Sequence, residues 1–251
     1  MATSPDLSLF SLTGKAVLVA GASKGIGLAL AKGLAQAGAT VIGFGRSAAL
    51  DASQGFSYQS CDIRQPEPFA RLVAQCVEQY GNVDAYFHVA GITVPSANAL
   101  QDITSFEQTL TANLSSAYGC CATVGQQMLQ QRRGSIVTVT SIGSLLGFPG
   151  NPGYVASKGG LRMMSKAMAL DLGQFNVRVN CLVPGYIHTD MTNASYSDPH
   201  KSKERADRTM LGRWGSVEDL VGAAIFLASD ASTYVTGTDL VVDGGWTAKG
   251  L

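Results

Sequence analysis

The sequence predicts an α/β fold: one doubly wound parallel sheet of about seven strands with helices on both faces. Short apolar runs alternate with stretches of helical periodicity along the chain, and no linker interrupts them. Such alternation is typical of a parallel sheet with right-handed crossovers. A length of 251 residues suits one large domain, so we expect residues 1–251 to form a single unit.

Each predicted strand is a short, mostly apolar run. In chain order the strands cover 15–20, 40–44, 56–60, 83–89, 135–140, 177–182 and 239–242. A first helix carries Ile26, Leu30 and Leu34 at helical spacing. A long helix is predicted from Phe106 to Met128, and another begins near Tyr154.

The first strand leads directly into the glycine-rich segment Ala20-Gly21-Ala22-Ser23-Lys24-Gly25-Ile26-Gly27, and the first helix follows it. Glycines let a backbone approach a pyrophosphate, and the helix N-terminus offers free N–H groups and the positive end of a dipole. Strand, glycine turn and helix in this order favour a dinucleotide site. An ordinary glycine-rich turn is the alternative.

Tyr154 and Lys158 are four residues apart, so a helix places both side chains on one face. A free phenol has a pKa near ~10, and a neighbouring lysine cation lowers it. The pair therefore indicates a general acid/base that works near neutral pH, although Tyr and Lys also meet at this spacing by chance.

Composition excludes several classes of protein. The formal net charge is zero, so no basic excess indicates nucleic acid or an anionic membrane surface as a partner. No apolar run approaches the ~18 residues of a membrane span. Hydrophobic residues make up 46% and charged residues 14%, which indicates some buried subunit interface. The five cysteines have no metal-ligand spacing with histidine, so we expect reduced thiols, no metal site and a cytoplasmic location.

Residues 189–213 interrupt the alternation. The segment is polar, lacks a clear apolar stripe and separates a strand end from the next helix. We interpret it as a mobile lid over a substrate pocket, with a plain surface insertion as the alternative.

Together these motifs resemble the short-chain dehydrogenase/reductase family. The likeness runs nearly end to end, from Leu12-Thr13-Gly14-Lys15 to Val242-Asp243-Gly244-Gly245. The resemblance implies a Rossmann-type fold, a homotetramer, and hydride transfer between NAD(H) or NADP(H) and a small-molecule carbonyl or alcohol. It also implies a catalytic tetrad, whose members here are Asn113, Ser141, Tyr154 and Lys158.

Cofactor choice depends on the end of the second strand, Ile42-Gly43-Phe44-Gly45-Arg46, which has no acidic residue to bind a ribose 2′-hydroxyl. Arg46 can instead pair with a 2′-phosphate, and Lys24 can add a second cation. NADP(H) is therefore favoured, and NAD(H) stays possible. The remaining expected cofactor contacts are Gly21, Ser23, Gly25, Ile26, Gly27, Asp62, Ile63, Ala90, Gly91, Tyr154, Lys158, Pro184, Gly185, Ile187 and Thr189.

Three positions depart from the family pattern: Ala20, His88 and Val89. Ala20 stands where a threonine usually precedes the first glycine, which still permits the backbone turn. His88-Val89-Ala90-Gly91 replaces an Asn-Asn-Ala-Gly run, and we expect His88 to be structural rather than catalytic.

Substrate is less well defined by the sequence. Residues 208–215 and the ending Asp243-Gly244-Gly245-Trp246-Thr247-Ala248 resemble branches that act on sugar acids and polyols, such as gluconate 5-dehydrogenases. The overall pattern also resembles 3-oxoacyl-carrier-protein reductases and other ketone reductases. Candidate pocket residues are Phe148, Tyr186, His188, Met191, Asn193 and Tyr196. The remaining alternative is a dinucleotide-binding protein that has lost its catalytic activity. The presence of both Tyr154 and Lys158 argues against it.

Overall fold

A computed structural model of the chain describes residues 7–48, 50, 54–95 and 101–250. Its centre is a seven-stranded, all-parallel sheet in the order β3-β2-β1-β4-β5-β6-β7. The strands are β1 Ala16–Ala20, β2 Thr40–Gly45, β3 Ser57–Ser60, β4 Ala85–His88, β5 Gly134–Val139, β6 Val177–Pro184 and β7 Asp239–Val242. The predicted fold class is confirmed, and each predicted strand overlaps one of these.

Helices cover both faces of the sheet. They are α1 Gly25–Gln36, α2 Pro66–Tyr80, α3 Ile103–Leu110, α4 Ser116–Gln131, α5 Pro152–Gly173, α6 Asn193–Tyr196, α7 Pro199–Arg208 and α8 Val221–Ala228. Successive residues of β1 point to opposite faces, so Val17 and Val19 pack with residues of α1 and α8. Leu18 packs on the other face with residues of α2, α4 and α5. Burial of both faces explains the continuous apolar runs of the strands.

Chain order reverses between β1 and β4, which are neighbours although β2 and β3 lie between them in sequence. Loops leaving β1 and β4 therefore diverge to opposite faces, and a crevice opens at the carboxyl ends of the two strands. The glycine turn follows β1, and Ala90-Gly91 follows β4.

The predicted long helix is interrupted. Thr111–Ser115 form one π-helical turn between α3 and α4, and Asn113 is buried within that turn. A π-turn inserts an extra residue into the helical repeat, which apolar spacing on either side does not reveal.

Residues 189–213 contain α6 and α7. A parallel bridge between Ile187 and Gly215 joins the two ends of the segment, and the Trp214 indole N–H donates to the Ser202 carbonyl oxygen at 3.0 Å. α7 has no buried residue, which agrees with the missing apolar stripe. The mobility of this lid stays a prediction.

All five cysteines are buried, as the sequence predicts, and the structure has them as free thiols. Among the described residues, no cluster of three or more His, Cys, Asp or Glu side chains could hold a metal ion. No helix in the described ranges has the length and apolar character needed to cross a membrane.

Candidate active site

The glycine turn is built by backbone alone. Gly21 has φ +84°, and its N–H donates to the Phe44 carbonyl oxygen at 2.8 Å. A Cβ on Gly21 would lie 2.8 Å from the Ala90 nitrogen, and a Cβ on Gly27 would overlap the Gly21 carbonyl. Glycine is therefore required at both positions, and Ala20 leaves the turn intact, as expected.

A cleft of about 600 Å³ opens at the carboxyl ends of β1, β2, β4, β5 and β6. Every residue predicted to contact the cofactor lines it, from the glycine turn to Thr189. The N-terminus of α1 opens into the cleft at Gly25. A glycine-walled channel beside a free helix N-terminus fits a dinucleotide pyrophosphate.

Three cationic side chains line the cleft near the end of β2: Arg46, Lys24 and Arg64. Arg64 was not predicted, although it lies only two residues after Asp62. Its guanidinium donates to both Asp62 carboxylate oxygens and lowers the pKa of that carboxyl to about 2. Arg46 forms no ion pair with a carboxylate of the described ranges, so it is available to an incoming anion.

Lys24 is partly engaged. Its ammonium lies 3.4 Å from an Asp190 carboxylate oxygen, and both side chains are exposed. This contact joins the glycine turn to the start of the lid across the mouth of the cleft. Lys24 is therefore shared between Asp190 and any phosphate in the cleft.

Ser141 and Tyr154 lie at the other end of the cleft. Ser141 follows β5, and its Oγ accepts a hydrogen bond from the Gly143 N–H at 3.0 Å. Because that bond uses a lone pair, the Ser141 proton is free to point toward a substrate oxygen. Asn151 caps α5 by accepting from the Tyr154 N–H, which fixes Tyr154 in the first helical turn.

Lys158 lies one turn further along α5 and is 4% exposed. Its Nζ donates to the Val139 carbonyl oxygen at 2.8 Å and lies 5.9 Å from the centroid of the Tyr154 ring. Burial lowers the pKa of this lysine to about 8.

The expected lowering of the Tyr154 pKa is wrong for this structure. Burial raises the pKa of Tyr154, the Ser141 hydroxyl lowers it, and the nearby Tyr186 hydroxyl raises it further. The lysine is itself dehydrated and held by the Val139 carbonyl, so desolvation of the phenol outweighs any attraction from Lys158. Tyr154 is therefore a neutral proton donor at pH 7.

Asn113 lies behind the cleft and is fully buried. Its Oδ1 accepts from the Ile92 N–H at 2.8 Å, and its Nδ2 donates to the Ile92 carbonyl at 2.8 Å and to Ser157 Oγ at 3.1 Å. A Cβ on Gly91 would lie 3.3 Å from Asn113 Oδ1 and 3.5 Å from Lys158 Nζ. The structure thus brings Asn113 and Lys158 together across Gly91.

His88 is fully buried at the end of β4, where its Nδ1 lies 2.7 Å from the Tyr86 hydroxyl. Burial first, and the Lys158 cation second, lower its pKa to about 3, so His88 is neutral. Its Nε2 has no partner among the described residues. This environment agrees with the structural interpretation of His88.

An aromatic cluster stands beside Ser141 and Tyr154. The Tyr186 ring contacts Trp246 at 4.8 Å and Trp214 at 5.2 Å between centroids, and it approaches Phe148 at 6.3 Å. Tyr196 packs edge-on against Trp214 and stacks on His188 at 3.7 Å. Of the six predicted pocket residues, Met191 lines the main cleft, and four belong to this cluster: Phe148, Tyr186, His188 and Tyr196. Asn193 Oδ1 lies 3.3 Å from His188 Nε2 and can only accept a hydrogen bond there.

This fold and this cleft define a class of protein: doubly wound α/β oxidoreductases with a dinucleotide site at the strand ends. A family model described as enoyl-(acyl carrier protein) reductase matches residues 21–247. The chain belongs to the short-chain dehydrogenase/reductase family.

Three relatives illustrate the similarity. Gluconate 5-dehydrogenase from Gluconobacter oxydans is 38% identical and covers 98% of each chain. A 3-oxoacyl-acyl-carrier-protein reductase from Chlamydia muridarum is also 38% identical, over 93% of this chain and 98% of its own. The structure of a gluconate 5-dehydrogenase from Burkholderia cenocepacia J2315, in complex with NADP and tartrate, superimposes with a TM-score of 0.92 at 32% identity, over 98% and 100% of the chains.

Proposed function

We propose that this protein is an NADP(H)-dependent oxidoreductase that interconverts a secondary alcohol and a ketone on a sugar acid, sugar or polyol. One observation carries the proposal: Ser141, Tyr154 and Lys158 share a single cleft with the glycine turn and Arg46. That arrangement would set a proton donor beside the substrate oxygen and a dinucleotide site beside the carbon that bears this oxygen.

In ketone reduction, a nicotinamide cofactor held in the cleft would supply the hydride to the carbonyl carbon. Ser141 and Tyr154 hydroxyls hold the carbonyl oxygen where negative charge develops, and Tyr154 gives its proton to that oxygen. Lys158 holds a positive charge behind the phenol, and Asn113 positions the loop at Ile92. Because the pKa of Tyr154 is raised, reduction starts from the correct protonation state at neutral pH.

NADP(H) is supported by the guanidinium of Arg46, which forms no ion pair with a described carboxylate, and by the absence of an acid at the end of β2. Relatives similar to this chain have been solved with NADP, among them the Burkholderia protein. NAD(H) is the second candidate cofactor.

Sugar acids are supported by the relatives, since gluconate and 2-dehydro-3-deoxy-D-gluconate 5-dehydrogenases both match over nearly the whole chain. The alternative is a 3-oxoacyl thioester, supported by the Chlamydia relative. A carrier protein is acidic and needs a basic docking surface, which a net charge of zero does not favour.

We further propose that the protein works as a homotetramer in the cytoplasm, with 189–213 as its mobile lid. Large apolar side chains on α4 and α5 are exposed in the protomer, including Tyr118, Met163 and Leu170. Buried thiols without disulfides suit a reducing compartment.

The first test is turnover of purified protein with NADP(H) or NAD(H) against sugar acids, polyols, simple ketones and 3-oxoacyl thioesters, followed by nicotinamide absorbance. Tyr154→Phe removes the proton donor, so we expect kcat to fall about 10²- to 10⁴-fold while NADPH still binds. Retained turnover in Tyr154→Phe contradicts the assignment.

Cofactor choice is tested by Arg46→Ser. Loss of a charge-assisted contact should raise the KM for NADPH by about 10- to 100-fold and leave the KM for NADH nearly unchanged. Arg71→Ser, an exposed arginine of α2 outside the cleft, is the matched control. Equal effects of Arg46→Ser on both cofactors would count against a 2′-phosphate at this site.

A further inference from the structure

Arg205 of α7 places a guanidinium on the aromatic cluster. Its Cζ lies 4.7 Å from the centroid of the Tyr186 ring and 5.8 Å from that of Trp214. A guanidinium that contacts rings through its face keeps its edge N–H groups available for hydrogen bonds.

Those N–H groups have no acceptor in the part of the chain that the structure describes. Arg205 Nη1 is buried without a partner, and no described carboxylate forms an ion pair with Arg205. Three neighbouring cations differ, because each is paired with a carboxylate: Lys201 with Asp198, Lys203 with Asp207, and Arg213 with Asp219. A buried unpaired donor of a cation costs free energy, which an anionic ligand would recover.

Arg205 is also connected to the reacting groups through Tyr186. The ring that it covers belongs to Tyr186, which lies between the cleft residues Gly185 and Ile187. The Tyr186 hydroxyl is near enough to Tyr154 to affect its pKa. The Tyr186 ring also approaches Phe148. A Cβ on Gly143 would lie 3.0 Å from the Phe148 ring and 3.5 Å from Ser141 Oγ, so the aromatic cluster leads from the lid to the reacting groups.

We propose that Arg205 binds the carboxylate of a polyhydroxy-acid substrate whose hydroxyl-bearing carbon lies at Ser141 and Tyr154. This inference rests on the function proposed above and narrows it to acids over neutral polyols. A guanidinium edge matches a carboxylate through two parallel hydrogen bonds, and the aromatic rings exclude water from that pair.

Arg208 provides a contrast on the same helix. It lies 4.8 Å from the Trp246 ring centroid, but its side chain is exposed and it does not cover Tyr186. Water already satisfies its donors, so a substrate carboxylate would gain less there. Arg208 therefore serves as the matched control for Arg205.

The experiment measures kcat/KM with NADP⁺ for D-gluconate and for sorbitol, two substrates that differ at the terminal carbon. Wild type is compared with Arg205→Met, Arg205→Lys and Arg208→Met. Melting temperature and NADPH affinity, measured for each variant, establish that fold and cofactor site are intact.

For Arg205→Met we expect the KM for gluconate to rise about 10- to 100-fold, with sorbitol kinetics within about 2-fold of wild type. Arg205→Lys should recover part of the loss, and Arg208→Met should leave both substrates unchanged. Equal losses on gluconate and sorbitol would show that Arg205 only clamps the lid, and would overturn the proposal.

If the wild-type protein turned over sorbitol but not gluconate, the proposed alcohol/ketone interconversion would be supported. The proposal that Arg205 binds a substrate carboxylate would be overturned. Absence of turnover with either substrate would remove the proposed function, and this inference with it.

Discussion

Lys158 carries its ammonium group in a fully enclosed position, with the Val139 carbonyl oxygen as its acceptor among the described residues. Burial of a cation favours the neutral amine, and the pKa of Lys158 falls to about 8 from an ordinary value of 10.5. Burial in the cofactor-free protein therefore disfavours the charged form of Lys158, which is the form that the proposed mechanism uses.

This shift predicts a pH-dependent stability. Between pH 7 and 9 the unfolded chain keeps the Lys158 proton, while the native state loses it near pH 8. The unfolded state then binds more protons, so Lys158 makes the protein more stable as pH rises. We expect wild type to gain roughly 1 kcal/mol in free energy of unfolding relative to Lys158→Met between pH 7 and 9.

Urea denaturation of both proteins, without cofactor and at equal protein concentration, measures this difference. The Lys158→Met reference cancels the other groups that titrate in this range, such as the buried thiols. Parallel behaviour of the two proteins from pH 7 to 9 would contradict a lowered Lys158 pKa.

Residue types and spacing predicted which side chains meet in the cleft, because glycine, tyrosine and lysine positions follow directly from the chain. The direction of the Tyr154 pKa was wrong, since it depends on burial by elements distant in sequence. Arg205 gave no sequence signal either, because a lone arginine on a polar helix is usually solvated.

At the scale of the secondary-structure elements, helices α1 and α8 pack closely where Gly33 of α1 faces Val221 of α8. A Cβ on Gly33 of α1 would overlap Cγ1 of Val221, the first residue of α8. Val221 is β-branched and stiff, so it has no free rotamer to give way. The pair fixes how closely α1 approaches the start of α8.

Gly33→Ala should therefore destabilise the protein by about 1–3 kcal/mol through overpacking, even though alanine is the better helix former. In Gly33→Ala with Val221→Ala, the clash is removed, so the loss should be smaller than the sum of the single losses. Gly222→Ala, where no atom lies within 4 Å, should be neutral or slightly stabilising. Additive losses in the double variant would rule out this contact.

Strands were predicted well because each is an apolar run that both sheet faces bury. The π-turn at Thr111–Ser115 was missed because its apolar neighbours keep helical spacing on either side. Helices α6 and α7 were missed because neither contributes a buried side chain, which leaves no periodic signal.

At the scale of the whole molecule, the protomer core buries only part of the large apolar side chains, and others stay exposed. Leu170 is 83% exposed and Met163 is 59% exposed, and their spacing of seven residues places them on one face of α5. Exposed apolar side chains on one face are typical of a subunit interface. Composition indicated such an interface, but it could not say which helix carries it.

The proposed tetramer predicts an assembly of four chains in sedimentation velocity at micromolar concentration. Leu170→Glu puts a charge on the α5 face and should shift the protein to smaller species. Leu211→Glu, on a comparably exposed leucine of the lid segment, should leave the assembly unchanged. A wild-type monomer at micromolar concentration would remove the tetramer.

The five buried cysteines allow local opening of the structure to be measured by thiol labelling. Burial is the main cause that raises the pKa of each thiol, to about 11 for Cys76 and about 12 for Cys120. Since thiolates are the reactive form, a thiol-labelling reagent at neutral pH can modify the four cysteines outside the cleft, Cys76, Cys120, Cys121 and Cys181, only when the structure opens. The order in which these cysteines are labelled would show which helices and strands open first. Cys61 lines the cleft, so slower labelling of Cys61 would report that a bound ligand covers it.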